Sequence, residues 1–175
     1  MEALAVALNL LYTWLYLQSD PRCYLFGAAG PALFVVLCAG RQLYAEVLLQ
    51  VVYTGLAIYG WMNLGAAWEE KHWSPQAHLA LLGSGTAGWL LMGWFLSRST
   101  DARMPYTDSF TTTFGICGTW AMVNYVHANW LYFIAINTVS VYLYARRGMK
   151  LGAGMYVIYL ILALGGYFRL KGFVP

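Results

Sequence analysis

One hundred and seventy-five residues would ordinarily make one soluble domain, but 61% of these are hydrophobic, 17% aromatic and only 10% charged, against roughly 25% charged in an average globular chain. Ten Lys and Arg with seven Asp and Glu cannot cover the wet surface of a 19.6 kDa soluble fold, and the mean hydropathy of +0.57 places the chain in lipid. The same numbers exclude disorder, and a net charge of +3 spread over separated loops forms no basic stripe for nucleic acid.

A helix needs about 20 mostly apolar residues to cross ~30 Å of hydrocarbon at 1.5 Å per residue. The uncharged runs have that length: Ala3 to Ser19 (17 residues), Cys23 to Gly40 (18), Val47 to Trp68 (22), His72 to Ser97 (26), Ser109 to Ala145 (37) and Leu151 to Phe168 (18). The run of 37 is long enough for two spans and carries the polar knot His127-Ala128-Asn129 at its middle. The expectation is an all-α membrane protein with seven transmembrane helices. The first run opens with Glu2, lacks a basic n-region and ends in Gln18-Ser19-Asp20-Pro21, so it reads as a span and not as a cleaved signal peptide. The loops are short, with no room among them for a soluble domain. Cys23, Cys38 and Cys117 are odd in number and lack CxxC spacing, so neither a disulfide framework nor a thiolate metal site is signalled, and no cofactor is expected.

Sliding the chain along itself brings its two ends into ungapped agreement at an offset of 106. Thr13-Trp14 falls on Thr119-Trp120, Tyr24 on Trp130, Leu37 on Leu143, Tyr53 on Tyr159, Ala57 on Ala163, Gly60 on Gly166 and Trp61 on Tyr167. A three-helix unit that starts on one side of a membrane ends on the other, and one further crossing lets a second unit start in the same direction. The expected organisation is therefore two parallel three-helix repeats, residues 1–63 and 108–175, joined by a linker helix within 64–107 (3+1+3). Carriers built from parallel repeats bind substrate between the halves near the midplane. Helix breakers fall at matched positions, Pro31 on Asn137. Proline kinks a helix, and asparagine in hydrocarbon is costly unless it meets a partner, a cavity or a ligand.

The run Leu48-Leu49-Gln50-Val51-Val52-Tyr53, then Ile58-Tyr59-Gly60-Trp61, Pro105-Tyr106-Thr107-Asp108-Ser109, Asn129-Trp130-Leu131, Ile136-Asn137 and Ser140-Val141 resembles the PnuC family of vitamin transporters from the first helix to the seventh. The resemblance implies a fold related to the SWEET sugar carriers. It also implies facilitated uptake of nicotinamide riboside across a bacterial cytoplasmic (inner) membrane, with thiamine or riboflavin taken by relatives. Where the family often shows Asn-Trp-x-x-Trp followed by a polar residue, this chain has Asn129-Trp130-Leu131-Tyr132-Phe133 and then Asn137. Phe133 stands where a stacking tryptophan is expected. A phenyl face still attracts a cationic ring, less strongly than indole does, so the vitamin's identity stays open between nicotinamide riboside and thiamine.

A flat cationic heteroaromatic ring with a polar tail needs aromatic faces and a few hydrogen-bonding groups in a dry cavity. The candidate faces are Trp120, Trp130, Phe133, Tyr53, Tyr59 and Trp61, with Gln50 and Asn137 as amide partners. Phe133 and Asn137 lie four apart on one helix face and are the first choice; Gln50 and Tyr53 share a face that the repeat matches to Tyr156 and Tyr159. Pro31, Gly27 and Gly30 are the candidate hinge. Against the site reading, tryptophans near helix ends commonly form interfacial belts, which would take Trp61, Trp68, Trp73, Trp94 and Trp130. Asp108 reads as a residue favouring a helix N-terminus, and His127 as a solvated hairpin residue without a metal partner at helical spacing.

Lys71, Lys150 and Lys171 sit at loops or ends, which excludes a retinal Schiff base, and no mid-helix carboxylate or histidine offers an enzyme its base. The acidic residues Glu2, Asp20, Glu46, Glu69, Glu70, Asp101 and Asp108 fall at helix ends or in loops, and only Glu46 lies as much as a turn inside, which implies transport without ion coupling. The implied partners are the vitamin, the bilayer and a cytoplasmic kinase that traps the substrate; self-association is left open, and the other class to consider is a binding subunit that needs a partner ATPase. Arg41, Arg98, Arg103, Arg146, Arg147 and Lys150 fall on the side of the N-terminus, with Arg22, Lys71, Arg169 and Lys171 opposite. That bias favours a cytoplasmic N-terminus.

Overall fold

The computed structural model describes residues 2–39, 44–64, 70–101, 104–146, 148 and 150–170. The expectations for Arg41, Trp68, Glu69, Arg103, Arg147, Lys171 and the side chain of Glu46 lie outside the described residues. Seven helices are described: α1 Glu2–Leu17, α2 Cys23–Ala39, α3 Tyr44–Met62, α4 Pro75–Ser99, α5 Pro105–Val123, α6 Asn129–Arg146 and α7 Lys150–Tyr167. The long uncharged run divides at 124–128, as its polar knot requires. Two starts differ from the expectation for the same reason. Pro75 and Pro105 open α4 and α5, because proline's fixed φ suits the first helical position and its missing N–H is not needed there. Ser74 caps α4 by accepting from the Ala77 N–H at 3.3 Å. Asp108 then sits in the first turn of α5, where its charge suits the helix's positive end.

Six helices close into a ring. α2 packs between α1 and α3, α6 packs between α5 and α7, and the looser seams α3–α5 and α1–α7 complete the circle; α4 lies outside it against α5. Leu48, Ile58, Leu79, Leu91, Val157 and Ile161 project outward with large apolar exposure, the inverse of a soluble surface and what lipid solvation demands. α4, with 25 residues and about 37 Å of rise, is the one helix among the described residues long and apolar enough by itself to cross a membrane. Four shorter apolar stretches lie in α1, α2, α3 and α7.

The principal buried cluster gathers at one end of the ring, where α1 and α5 finish and α2 and α6 start. It holds Tyr16, Leu17, Cys23, Tyr24, Met122, Val123 and Trp130, with Ala57 of α3 and Leu162 and Ala163 of α7. The α1–α2 and α5–α6 hairpins there are built alike. Ser19 N–H donates to Tyr16 O at 3.0 Å and Asp20 N–H to Leu15 O at 3.0 Å; 106 residues later Tyr125 donates to Met122 O at 2.9 Å and Val126 to Ala121 O at 3.0 Å. These paired bonds end both helices in the same motif, with Ser19 (φ 53) and Tyr125 (φ 59) in the left-handed region usually left to glycine. The starts of α2 and α6 repeat too, with Tyr24 N–H to Pro21 O and Trp130 N–H to His127 O both at 3.3 Å.

Glycines set how closely the helices approach. The Trp130 ring lies on Gly166, where a Cβ would come within 2.5 Å of its Cε2, and the Tyr24 ring lies on Gly60, where a Cβ would meet Cζ at 2.8 Å. Gly27 lies beneath Tyr12, whose Cδ2 a Cβ would meet at 2.7 Å, and Gly30 lies against Asn9. α2 runs unbroken through Pro31; the carbonyl deprived of its donor there belongs to Gly27. Close packing on α1 is thus a sufficient reason for glycine at 27 and 30.

Gly166→Leu is expected to force the Trp130 ring off its seat and destabilise the bundle by ~1–3 kcal/mol, read as a lowered thermal midpoint in detergent. Gly154→Ala, with nothing within 4 Å of its added Cβ, is expected to cost nothing. Equal losses would show that the glycine seat is not what positions α7.

Candidate functional site

Trp130, Phe133 and Asn137 follow one another at helical spacing on α6, on a face turned toward the ring interior. Trp130 is buried and meets Tyr16 of α1 edge-on at 5.7 Å. Phe133 is half-buried against the main cluster, with Gly118 of α5 above it; a Cβ at Gly118 would lie 3.5 Å from Phe133 Cζ. Asn137 is only 6% exposed. Its amide makes no hydrogen bond with the described residues, while the neighbouring Thr138 hydroxyl is spent on the Ile134 carbonyl at 2.7 Å. The residue is not wholly sealed, so its amide is open to a ligand's polar groups.

Gln50 and Tyr53 on α3, and Tyr156 and Tyr159 on α7, are half-buried. Tyr53 reaches Gly115 of α5, where a Cβ would lie 2.6 Å from its hydroxyl, and it stands close enough to Tyr156 for the two hydroxyls to interact electrostatically. α3 and α7 are not neighbours in the ring. The tyrosines therefore face one another across it, and Tyr156 is further flanked by Tyr144 at 4.9 Å and Tyr159 at 6.1 Å. Tyr59 and Trp120 stack on each other at the α3–α5 seam, with ring centroids 5.3 Å apart and planes 28° from parallel. Both are 38% exposed, and Trp61 is 43% exposed. Two residues along a helix are about 200° of rotation, so Trp120 leaves α5 on the side opposite Met122. The structure thus gathers Trp130, Phe133, Asn137, Tyr53 and Tyr156 toward the interior and leaves Tyr59, Trp61 and Trp120 at its margin.

Two polar features were not among the sequence candidates. Asn9 lies mid-way along α1 with Oδ1 against Gly30; its signal was an amide within an otherwise apolar run. His127, expected to be solvated, instead places Nδ1 3.2 Å from a Glu70 carboxylate oxygen and stacks on Tyr167 at 5.6 Å. Arg169 pairs with the other oxygen of Glu70. The correction arises because the segment before α4 runs beside the hairpin: Lys71 N–H donates to Tyr125 O at 2.8 Å and His127 N–H to Lys71 O at 3.3 Å. In the other hairpin Arg22 clasps Asp20, and its guanidinium holds that carboxyl below the usual carboxylate range. No group of three or more metal-ligating side chains occurs among the described residues.

A cleft of about 50 Å³ opens beside this hairpin, lined by Tyr16, Glu70, Tyr125, Asn129, Trp130 and Arg169 among others. It has room for a water or two, not for a nucleoside, since drug-sized ligands occupy ~300 Å³ or more. A wider groove of about 190 Å³ lies between Trp89, Tyr106, Phe110 and Val139, away from every candidate. Phe133 and Asn137 line neither cleft, and the hairpin end is filled by the buried cluster around Tyr16, Tyr24, Met122 and Trp130.

A family described as nicotinamide mononucleotide transporter matches residues 1–171. The chain belongs to that family. It is accordingly a membrane transport protein and not an enzyme. Among curated relatives, the nicotinamide riboside transporter PnuC of Escherichia coli (strain K12) is 25% identical over 207 aligned positions, covering 95% of this chain and 82% of the relative; the protein of the same name from Shigella flexneri gives the same figures. A crystal structure of the vitamin B3 transporter PnuC superposes with a TM-score of 0.74 at 22% identity, over 96% of this chain and 79% of that one. That likeness establishes the seven-helix fold, and the expected family resemblance holds.

Packing and exposure divide the two tryptophans of the candidate set. Trp130→Ala is expected to cost ~3–5 kcal/mol as a buried aromatic lost from the core, and Trp120→Ala ~0.5–1.5 kcal/mol as the loss of an exposed stack. Denaturant unfolding in detergent measures both. The reverse order would remove Trp130 from the packing core.

Proposed function

We propose that this protein is a facilitative carrier for nicotinamide riboside in the bacterial cytoplasmic membrane, with the substrate held against the interior face of α6. The observation that carries the reading is Asn137, 6% exposed and without a hydrogen-bond partner among the described residues, one turn from the Phe133 ring. The ring stacks the cationic nicotinamide and the amide takes the polar tail, with Trp130, Gln50, Tyr53 and Tyr156 around them. The curated relatives named as nicotinamide riboside transporters support the substrate. The riboside is favoured over its phosphorylated form because no Lys or Arg lies within the apolar runs, and a buried phosphate would need such a cation. Thiamine is the second reading, favoured by phenylalanine instead of tryptophan at 133.

The reading includes two parallel three-helix repeats around a linker, all seven helices spanning the bilayer. Its support is the recurrence of the hairpin hydrogen bonds at an offset of 106, the matched left-handed residues Ser19 and Tyr125, and the matched ring-on-glycine contacts Tyr24–Gly60 and Trp130–Gly166. The two units rock about the site, with α2 bending at Pro31. No carboxylate lies deep within the apolar runs, so transport is uncoupled from ion gradients and net uptake depends on a cytoplasmic kinase.

Liposomes holding the purified protein and loaded with unlabelled nicotinamide riboside test this. External label should enter by counterflow without any ion gradient or ATPase, and Asn137→Leu should weaken binding by one to two decades, as a lost buried polar contact of ~1–3 kcal/mol implies, while remaining folded. Phe133→Trp should shift preference from thiamine toward the riboside. Accumulation driven by a proton or sodium gradient alone would overturn the uncoupled mechanism, and wild-type transport by Asn137→Leu would overturn the site.

The six-to-four excess of Lys and Arg along the sequence supports a cytoplasmic N-terminus and an external hairpin end. Among the described residues, Arg98, Arg146 and Lys150 fall on the N-terminal side and Arg22, Lys71 and Arg169 at the hairpin end, three on each side, so the excess rests on Arg41, Arg103 and Arg147 against Lys171. A fluorescent protein fused after Pro175 should stay dark; fluorescence in the cytoplasm would invert the assignment.

A further inference from the structure

We propose that Tyr16 of α1 and Met122 of α5 are the gate that closes the hairpin end of the ring, and that its latch is the hydrogen bond from the Tyr16 hydroxyl to the Met122 carbonyl. The inference rests on the carrier reading above and adds to it the element that opens. The bond is 2.7 Å long and buried. α1 and α5 are not neighbours in the ring, so the side chain crosses the lumen to make it.

The positions of the two residues say why this contact is central. Tyr16 and Met122 are 106 apart, the offset at which the two units match. Two equivalent points related by a two-fold axis can touch only where both lie beside that axis. The axis of two matched units runs down the middle of the ring, so a contact between equivalents there is a plug. The packing around it is aromatic. Tyr12 adds a weak hydroxyl contact to Met122 Sδ at 3.6 Å, Trp130 backs Tyr16 edge-on, and the Tyr24 hydroxyl of the first unit meets that of Tyr125 of the second. The small cleft bordered by Glu70 and Arg169 lies just outside it.

The acceptor is available because of how α5 ends. A carbonyl in mid-helix is committed to the N–H four residues on, whereas those of the last turn need other partners. Met122 is the penultimate residue of α5, and its carbonyl, with no helical N–H four residues on, accepts from the Tyr16 hydroxyl beside the Asn124 and Tyr125 N–H groups of the turn. The equivalent Tyr16 carbonyl accepts from Ser19 in the same way, but methionine has no hydroxyl to return the bond. One latch forms where two tyrosines would have formed two. A single neutral hydrogen bond contributes little net free energy, which suits a contact that must break in every transport cycle.

Cys23 reports the state of the gate, since it is fully buried in the same cluster. In a Cys38→Ala, Cys117→Ala background reconstituted in liposomes, a membrane-impermeant maleimide is added to one side or the other with no substrate present. Tyr16→Phe keeps the ring and deletes the latch. It should speed labelling of Cys23 from the hairpin side by about fivefold to tenfold, the shift that the loss of one such bond produces, and leave the opposite side slow. Labelling unchanged by Tyr16→Phe would overturn the gate, as would acceleration only from the far side. Acceleration from both sides, with a lowered thermal midpoint, would mark general loosening and also overturn it. Because no substrate enters the measurement, the gate stands or falls separately from the vitamin: faster one-sided labelling with no riboside counterflow would keep the gate and remove the substrate reading.

Discussion

The fold depends on aromatic rings lying flat against glycine backbone. In lipid there is no hydrophobic force between helices, because the solvent is as apolar as the side chains, so association relies on close approach and dispersion contact. Tyr24 on Gly60 draws α2 onto α3, and Trp130 on Gly166 draws α6 onto α7. Each removes the one Cβ that would hold a helix pair apart. α4 follows the same logic from outside the ring, setting Gly85 and Gly93 against Phe114, Cys117, Tyr106 and Ser109 of α5.

The two halves of the ring, α1–α3 and α5–α7, obtain this packing with different assortments of residues. In the first, the large residue is on the outer helix of the pair, Tyr12 of α1 over Gly27 of α2; at the matched place in the second, Gly118 of α5 lies under Phe133 of α6. Size is exchanged across the contact while its sum is kept. The consequence is functional. The exchange moves an aromatic ring from α1 to α6 and so puts Phe133 beside Asn137, where the first unit has Gly27 and Pro31. α6 thereby carries the residues proposed to bind, and α2, at the matched positions, those proposed to bend.

Closure at one end follows from where polarity is spent. At the hairpin end, Tyr16, the last-turn carbonyls and the Glu70, His127 and Arg169 side chains satisfy one another. One buried acceptor at that end, Asn129 Oδ1, has no partner among the described residues, and along α6 neither has the Asn137 amide.

Much of this was legible without coordinates because the bilayer simplifies the physics. Charge cannot be buried in hydrocarbon, so the spacing of Lys, Arg, Asp and Glu located the helices, and a proline at position one explains the starts of α4 and α5 that charge spacing alone misplaced. The offset of 106 was visible as residue identities, and the shared face of Phe133 and Asn137 on α6 followed from their spacing. What periodicity does not encode is which helices become neighbours: many rings of amphiphilic cylinders bury similar area, and the choice is made by local fits such as Trp130 on Gly166. Only the tertiary structure decided that Tyr59 and Trp120 stack on each other at a seam, that His127 is held by Glu70 from 57 residues away, and that the Tyr16 hydroxyl reaches the Met122 carbonyl on a helix that is not its neighbour in the ring. The sequence by itself determined an α-helical membrane protein and its residues in matched pairs; the distances between those residues arise from side-chain shapes meeting across helices, which no one-dimensional pattern carries.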